Sequence, residues 1–118
     1  MQQSVIWLDS AMNSQENEYY QKVILEKYDD ICYSFVSNEE EAMKAVYQSV
    51  KSILIVSGRE GSVLIPKLRD GLKEVNNLQS VIVFCGTNNV KKFKKELQKP
   101  YEGLVKLVTG DFDDGLFP

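Results

Sequence analysis

Short apolar runs and amphipathic stretches alternate along the chain. Ser4–Asp9 (SVIWLD) reads as a strand that ends on an acid, and Ile31–Val36 (ICYSFV), Ser52–Ser57 (SILIVS) and Ser80–Cys85 (SVIVFC) read as three more. Leu104–Val108 (LVKLV) is a weaker fifth, with Lys106 inside it. These runs are rich in Ile and Val and lack strict alternation, the pattern of strands covered on both faces of a parallel sheet. The segments between them read as helices. Glu16–Tyr28 brings Tyr20, Val23, Ile24 and Tyr28 near one stripe. Ser37-Asn38-Glu39-Glu40 has capping-box spacing, and the helix it opens places Ala42, Ala45, Val46 and Val50 on one face, with Met43 and Tyr47 beside them. Ile65–Val75 follows a Gly-Arg-Glu-Gly turn, and Pro66 fits the first turn of that helix. Asn89–Gln98 aligns Val90, Phe93 and Leu97, and Pro100 stops it. The βαβαβαβαβ order predicts one α/β domain over residues 1–118, a parallel sheet flanked by helices.

The tail changes that picture. Beyond the fifth strand only Thr109–Pro118 (TGDFDDGLFP) remain, too few and too rich in Gly, Asp and Pro for a helical stripe. The final helix is expected to be missing or poorly formed. One sheet face near strands one, four and five is then expected to be bare, and exposed apolar area of that kind marks an interaction site. Asp111, Asp113 and Asp114 lack the alternate spacing and terminal glutamate of a calcium loop, so they read as a solvated tail.

Composition adds mainly exclusions. The chain has 118 residues, of which 43% are hydrophobic, enough for one real core. There is no histidine, which removes a Ser-His-Asp triad, a Cys-His dyad and His-based metal sites. No metal or other cofactor is expected. Cys32 and Cys85 are too few for a disulfide scaffold and are expected to be buried, reduced thiols. The N-terminus lacks the basic region of a signal peptide, and no apolar run approaches the roughly 20 residues that span a bilayer. A soluble, cytoplasmic protein without membrane contact is the expectation.

Charge is uneven. Residues 1–57 carry nine acids and four bases, and residues 58–118 carry eight acids and ten bases. Lys91, Lys92, Lys94, Lys95 and Lys99 form one cluster, which reads as a solvated helix face. Nucleic-acid binding is not expected, because the chain has only two arginines, Arg59 and Arg69, and an acidic balance.

Ligands of open parallel α/β sheets sit at the carboxyl ends of the strands. There the chain offers Asp9 and Ser10, Ser57 and Gly58, Cys85 to Thr87, and Thr109 to Asp111. With the βα alternation, the size and the acid closing the first strand, these positions resemble a CheY-type response-regulator receiver domain up to Asp111. The resemblance implies a flavodoxin-like sheet of order 2-1-3-4-5. A phosphorylatable receiver needs an acidic pair after strand one, an acceptor aspartate ending strand three, Ser/Thr after strand four and Lys after strand five. Here Asp9-Ser10 supplies one acid, Ser57 takes the acceptor position, Cys85 the Ser/Thr position with Thr87 two residues on, and Gly110 falls near the lysine position. The pocket Asp9, Ser10, Ser57, Cys85, Thr87 thus resembles that of a degenerate receiver, or pseudo-receiver. The resemblance implies a non-catalytic module for protein contact or self-association. The strings WLDS (Trp7–Ser10), ILIVSGREGSVLIP (Ile53–Pro66) and SVIVFCGTN (Ser80–Asn88) also resemble a receiver-like region of large rotifer and ciliate multidomain proteins, which implies a regulatory part of a larger protein.

Two other readings compete. Gly58, Arg59, Gly61 and Ser62, within Ser57–Ser62, could cradle an anion or nucleotide through backbone N–H groups, although the spacing matches neither the P-loop nor the dinucleotide fingerprint and a tight βα turn explains it too. Cys85, at a strand end before Gly-Thr-Asn-Asn and a helix, resembles the thiol cradle of rhodaneses and cysteine phosphatases. The arginine those enzymes place five or six residues on is absent, and Val90-Lys91-Lys92 stands there instead. For Trp7, Tyr19, Tyr20, Phe84 and Phe93, core packing is the default role.

Overall fold

The structure, a computed structural model, describes residues 4–70 and 78–110. Its elements are β1 (Ser4–Leu8), α1 (Gln15–Lys27), β2 (Cys32–Val36), α2 (Glu39–Gln48), β3 (Ser52–Ser57), α3 (Gly58–Asp70), β4 (Leu78–Phe84), a helical segment 87–98, and β5 (Val105–Thr109). All strand pairs are parallel, in the order β2-β1-β3-β4-β5, with the four helical elements flanking the sheet in a flavodoxin-like arrangement.

The continuous apolar runs make sense in this frame, because both faces are covered. Val5, Trp7, Ile53, Ile55, Ile82 and Phe84 face α1 and its Ile24. Ile6, Leu8, Leu54, Val56, Val81 and Val83 face α2, α3 and the 87–98 segment, meeting Val46, Leu64, Ile65 and Leu97. The weak fifth strand is rescued by a bulge. The β4–β5 register jumps so that Val81 pairs with Val105 and Ile82 with Leu107, skipping exposed Lys106. Val105 and Val108 can then both turn to the aliphatic face. Gln98 donates its side-chain N–H to the Lys106 carbonyl at 3.1 Å, satisfying a backbone acceptor there.

Several expectations need correction. The α2 cap lies one residue later than the Ser37 pattern: Asn38 accepts the Glu41 N–H at 2.8 Å, and its amide donates to the Glu41 carboxylate. The buried side of α2 is Ala42 and Val46, while Tyr47 and Val50 are exposed, since Val50 lies beyond the last turn. Tyr19 is 63% exposed, turned out of the core beside inward Tyr20. Cys32 is exposed rather than buried, because it opens the half-covered edge strand β2, and Cys85 is half-buried; both are free thiols. The sheet face expected to be bare is filled at β1 and β4, where Val5, Trp7 and Ile82 are fully buried and Phe84 nearly so. Trp7 meets Phe35 and Phe84 edge-on at 5.8 Å, and Tyr20 meets Phe84 at 4.9 Å. Val75, the expected end of α3, the final-helix expectation and Asp111, Asp113 and Asp114 fall outside the described residues. Among the described residues no helix is long and apolar enough to cross a membrane.

The largest correction is at α3. It starts directly at Gly58, so Ser57–Ser62 is not a loop but the cap and opening turns of a helix, and Pro66 lies in its interior. Ser57 is the cap, accepting the Glu60 N–H at 3.1 Å. Glycine is needed by packing here. A Cβ at Gly58 would collide with the Phe93 ring, and one at Gly61 would press on Val56 and Ile65 at 3.1 and 3.2 Å. Pro66 cannot donate to the Ser62 carbonyl. The Ser62 hydroxyl instead donates back to the Gly58 carbonyl at 2.8 Å.

The 87–98 segment is also more varied than one helix. It runs as a 3-10 turn Thr87–Asn89, an α turn Val90–Phe93 and a π stretch Lys94–Gln98. The Lys99 N–H reaches the Lys94 carbonyl at 2.9 Å. Pro100, lacking an N–H, ends the run, and Arg69 from α3 clamps that end by donating to the Pro100 carbonyl at 2.6 Å and lying over the Tyr101 ring.

Candidate functional site

The carboxyl ends of β1, β3 and β4 frame a cleft of about 540 Å³. It lies between the start of α1, the start of α3 and the Gly86–Asn89 turn. Asp9 is positioned by the β1–α1 turn. Its carboxylate accepts the Ala11 N–H at 2.8 Å, and its own N–H donates to the Val36 carbonyl of β2. Buried Asn17 holds the same turn by donating to the Ala11 carbonyl at 2.8 Å, and Gln21 donates to the Met12 carbonyl at 2.9 Å. Ser14 then caps α1 by accepting the Asn17 N–H at 3.2 Å.

Eight of the residues singled out in the sequence line this cleft: Asp9, Ser57, Gly58, Arg59, Cys85, Gly86, Thr87 and Gly110. Three others do not. Ser10 is exposed outside it, Gly61 is buried in the α3 packing, and Ser62 sits one turn along α3 with its hydroxyl spent on Gly58. Glu16, Asn17, Tyr20, Asn89 and Phe93 line it too and were not assigned to it from the sequence. Glu16 and Asn17 were legible in principle, since an N-cap serine at position 14 places the first turn of α1 at the strand ends.

The chemistry on offer is limited. Ser57 is committed to its cap, and Asp9 to its turn. Burial pushes the Cys85 thiol above its ordinary pKa, so it keeps its proton at neutral pH, the opposite of an activated nucleophile. Glycines bring the walls close. Gly110 lies against Thr87, where a Cβ would come within 2.7 Å of its methyl, and Gly58 lies under Phe93. Among the described residues no group of three or more Cys, Asp or Glu converges as a metal cage. Among the described residues Arg59 is the one cation lining the cleft, with Asp9 and Glu16 as the acids.

Comparison of the chain with protein-family models, with curated proteins and with solved structures found no match.

Proposed function

We propose that this chain is a non-catalytic, receiver-like module that acts through protein–protein contact. The observation that carries this reading is at the end of β3. The position that would accept a phosphoryl group in a working receiver is Ser57, whose hydroxyl accepts the Glu60 N–H and closes the start of α3. A serine there cannot form an acyl phosphate. Supporting it, the Cys85 thiol is held protonated by burial rather than activated.

Acetyl phosphate with magnesium tests the reading. Intact-mass measurement is expected to show no phosphoryl adduct. A hydroxylamine-labile adduct, on Asp9 or elsewhere, overturns it.

The cleft volume favours one second reading, a site for a small ligand, since about 300–1,000 Å³ is the usual range. Arg59 at the start of α3 would then meet an anionic group. A thermal-shift panel of phosphate, nucleotides and small carboxylates checks this. A shift that Arg59→Ala abolishes supports the ligand reading over the contact reading.

A further inference from the structure

We propose that copies of this chain associate head to tail, with the lysine-rich 87–98 segment of one copy docking on the acidic β2 end of the next. The inference rests on the protein-contact reading above and names the partner as a second copy.

The sheet order separates the two surfaces. β2 and β5 are the opposite edges of the sheet. Residues 26–48, which run from the end of α1 through β2 and α2, carry six acids against two bases. Residues 87–106, which form the helical segment beside β5 and the first two residues of β5, carry six lysines against two glutamates. Lys91, Lys92, Lys94, Lys95 and Lys99 are all exposed, while Phe93 and Leu97 turn inward to the sheet. No described acid pairs with these five lysines; Lys67 of α3 takes Glu39 at 3.2 Å. The domain is thus a dipole along its sheet.

Apolar exposure is uneven in the same sense. Of the five large hydrophobic side chains exposed among the described residues, Leu25, Tyr47 and Val50 belong to the later part of α1, to α2 and to the residues just after it, at 44–76% exposure. Lysine stems can lie over tyrosine rings and valine while their ammonium groups reach carboxylates. The register shift at Lys106 makes β5 an irregular edge strand. Since the two patches differ and lie at opposite ends, each contact leaves one free patch of either kind, and the assembly can extend.

Light scattering after size exclusion tests this with the intact chain. At about 20 mM salt the mass is expected to rise with concentration above that of a monomer, and at about 0.5 M salt it is expected to return to the monomer. Lys91→Glu/Lys92→Glu/Lys95→Glu is expected to weaken association by about a hundredfold, as is Asp29→Lys/Asp30→Lys/Glu40→Lys. Mixing the two variants is expected to restore a complex, because each retains the patch the other lacks. The absence of such a rescue overturns the proposal. So does a protein that stays monomeric at low salt, or one whose lysine segment binds an RNA oligonucleotide while the chain remains monomeric. A monomer leaves the non-catalytic reading standing, since acetyl phosphate decides that separately.

Discussion

The two faces of the sheet are packed by different means. On the α1 face, a single described helix covers the strands, and aromatic rings fill the space: Trp7 between Phe35 and Phe84, Tyr20 on Phe84, and Tyr33 stacked on Phe35 at 5.8 Å. On the other face three helical elements cover the strands with aliphatic side chains, and glycines let them approach, Gly58 under Phe93 and Gly61 against Val56. Few helices call for large side chains; many helices call for small ones at the crossings. The two solutions meet at the cleft, whose walls are Tyr20 and Phe84 from one face and Gly58 and Phe93 from the other. The cleft's shape therefore follows from core packing on both sides.

Removing the centre of the aromatic face should have the largest effect. Trp7→Ala deletes a fully buried ring with two edge-on partners and is expected to cost about 3–5 kcal/mol in urea unfolding. On the aliphatic face the damaging change is an addition. Gly58→Ala drives a methyl into Phe93 and is expected to cost about 1–3 kcal/mol. Phe93→Leu should recover part of that loss in the double mutant. Additive losses would show that Phe93 does not crowd Gly58, and the contrast between the faces would fail there.

The strands were legible because an apolar run flanked by polar stretches survives any choice of helix ends. The bulge at Lys106 was not, since a lysine inside a strand run reads as weakness rather than as a residue pushed out of the ladder. The start of α3 was misread for a physical reason. Gly-Arg-Glu-Gly looks like a turn when glycine is taken as a backbone device, but neither Gly58 nor Gly61 has positive φ, and both answer to side chains from elsewhere in the fold. Phe93 is 35 residues downstream of Gly58, so no local pattern announces the contact. The cleft was half legible: strand ends can be read from the sequence, whereas Glu16 and Tyr20 enter it only because α1 begins at its rim.

Ser57 ends β3 at the cleft, paired in register with Phe84, and its variants separate stability from chemistry. Ser57→Ala removes the acceptor of the Glu60 N–H and is expected to cost about 1 kcal/mol. Ser57→Asp keeps a capping oxygen and should leave the midpoint of unfolding nearly unchanged, within about 0.5 kcal/mol. It also returns a carboxylate to the end of β3. If Ser57→Asp is as destabilising as Ser57→Ala, the hydroxyl is not acting as a cap.

The smallest effect concerns pH, and it treats the faces separately. Burial raises the pKa of Cys85, which packs on the aliphatic face, above its ordinary 9.0. Burial, helped by Asp30, Tyr28 and Asp29, raises that of Tyr33 on the α1 face above its ordinary 10.0. Tyr33 donates its hydroxyl to the Tyr28 carbonyl at 2.8 Å, a bond that needs the proton. In both cases the folded chain holds a proton that the unfolded chain gives up first, so the contribution of each group is fully present below its ordinary value, 9.0 for Cys85 and 10.0 for Tyr33, and declines as pH rises beyond it. Cys85→Ala should flatten the first part of that decline and Tyr33→Phe the later part, in unfolding midpoints measured from pH 8 to 11. A decline that neither substitution changes would place the alkaline sensitivity in other groups. A decline removed wholly by Tyr33→Phe would place it on the aromatic face alone, leaving the Cys85 thiol without a part in alkaline unfolding.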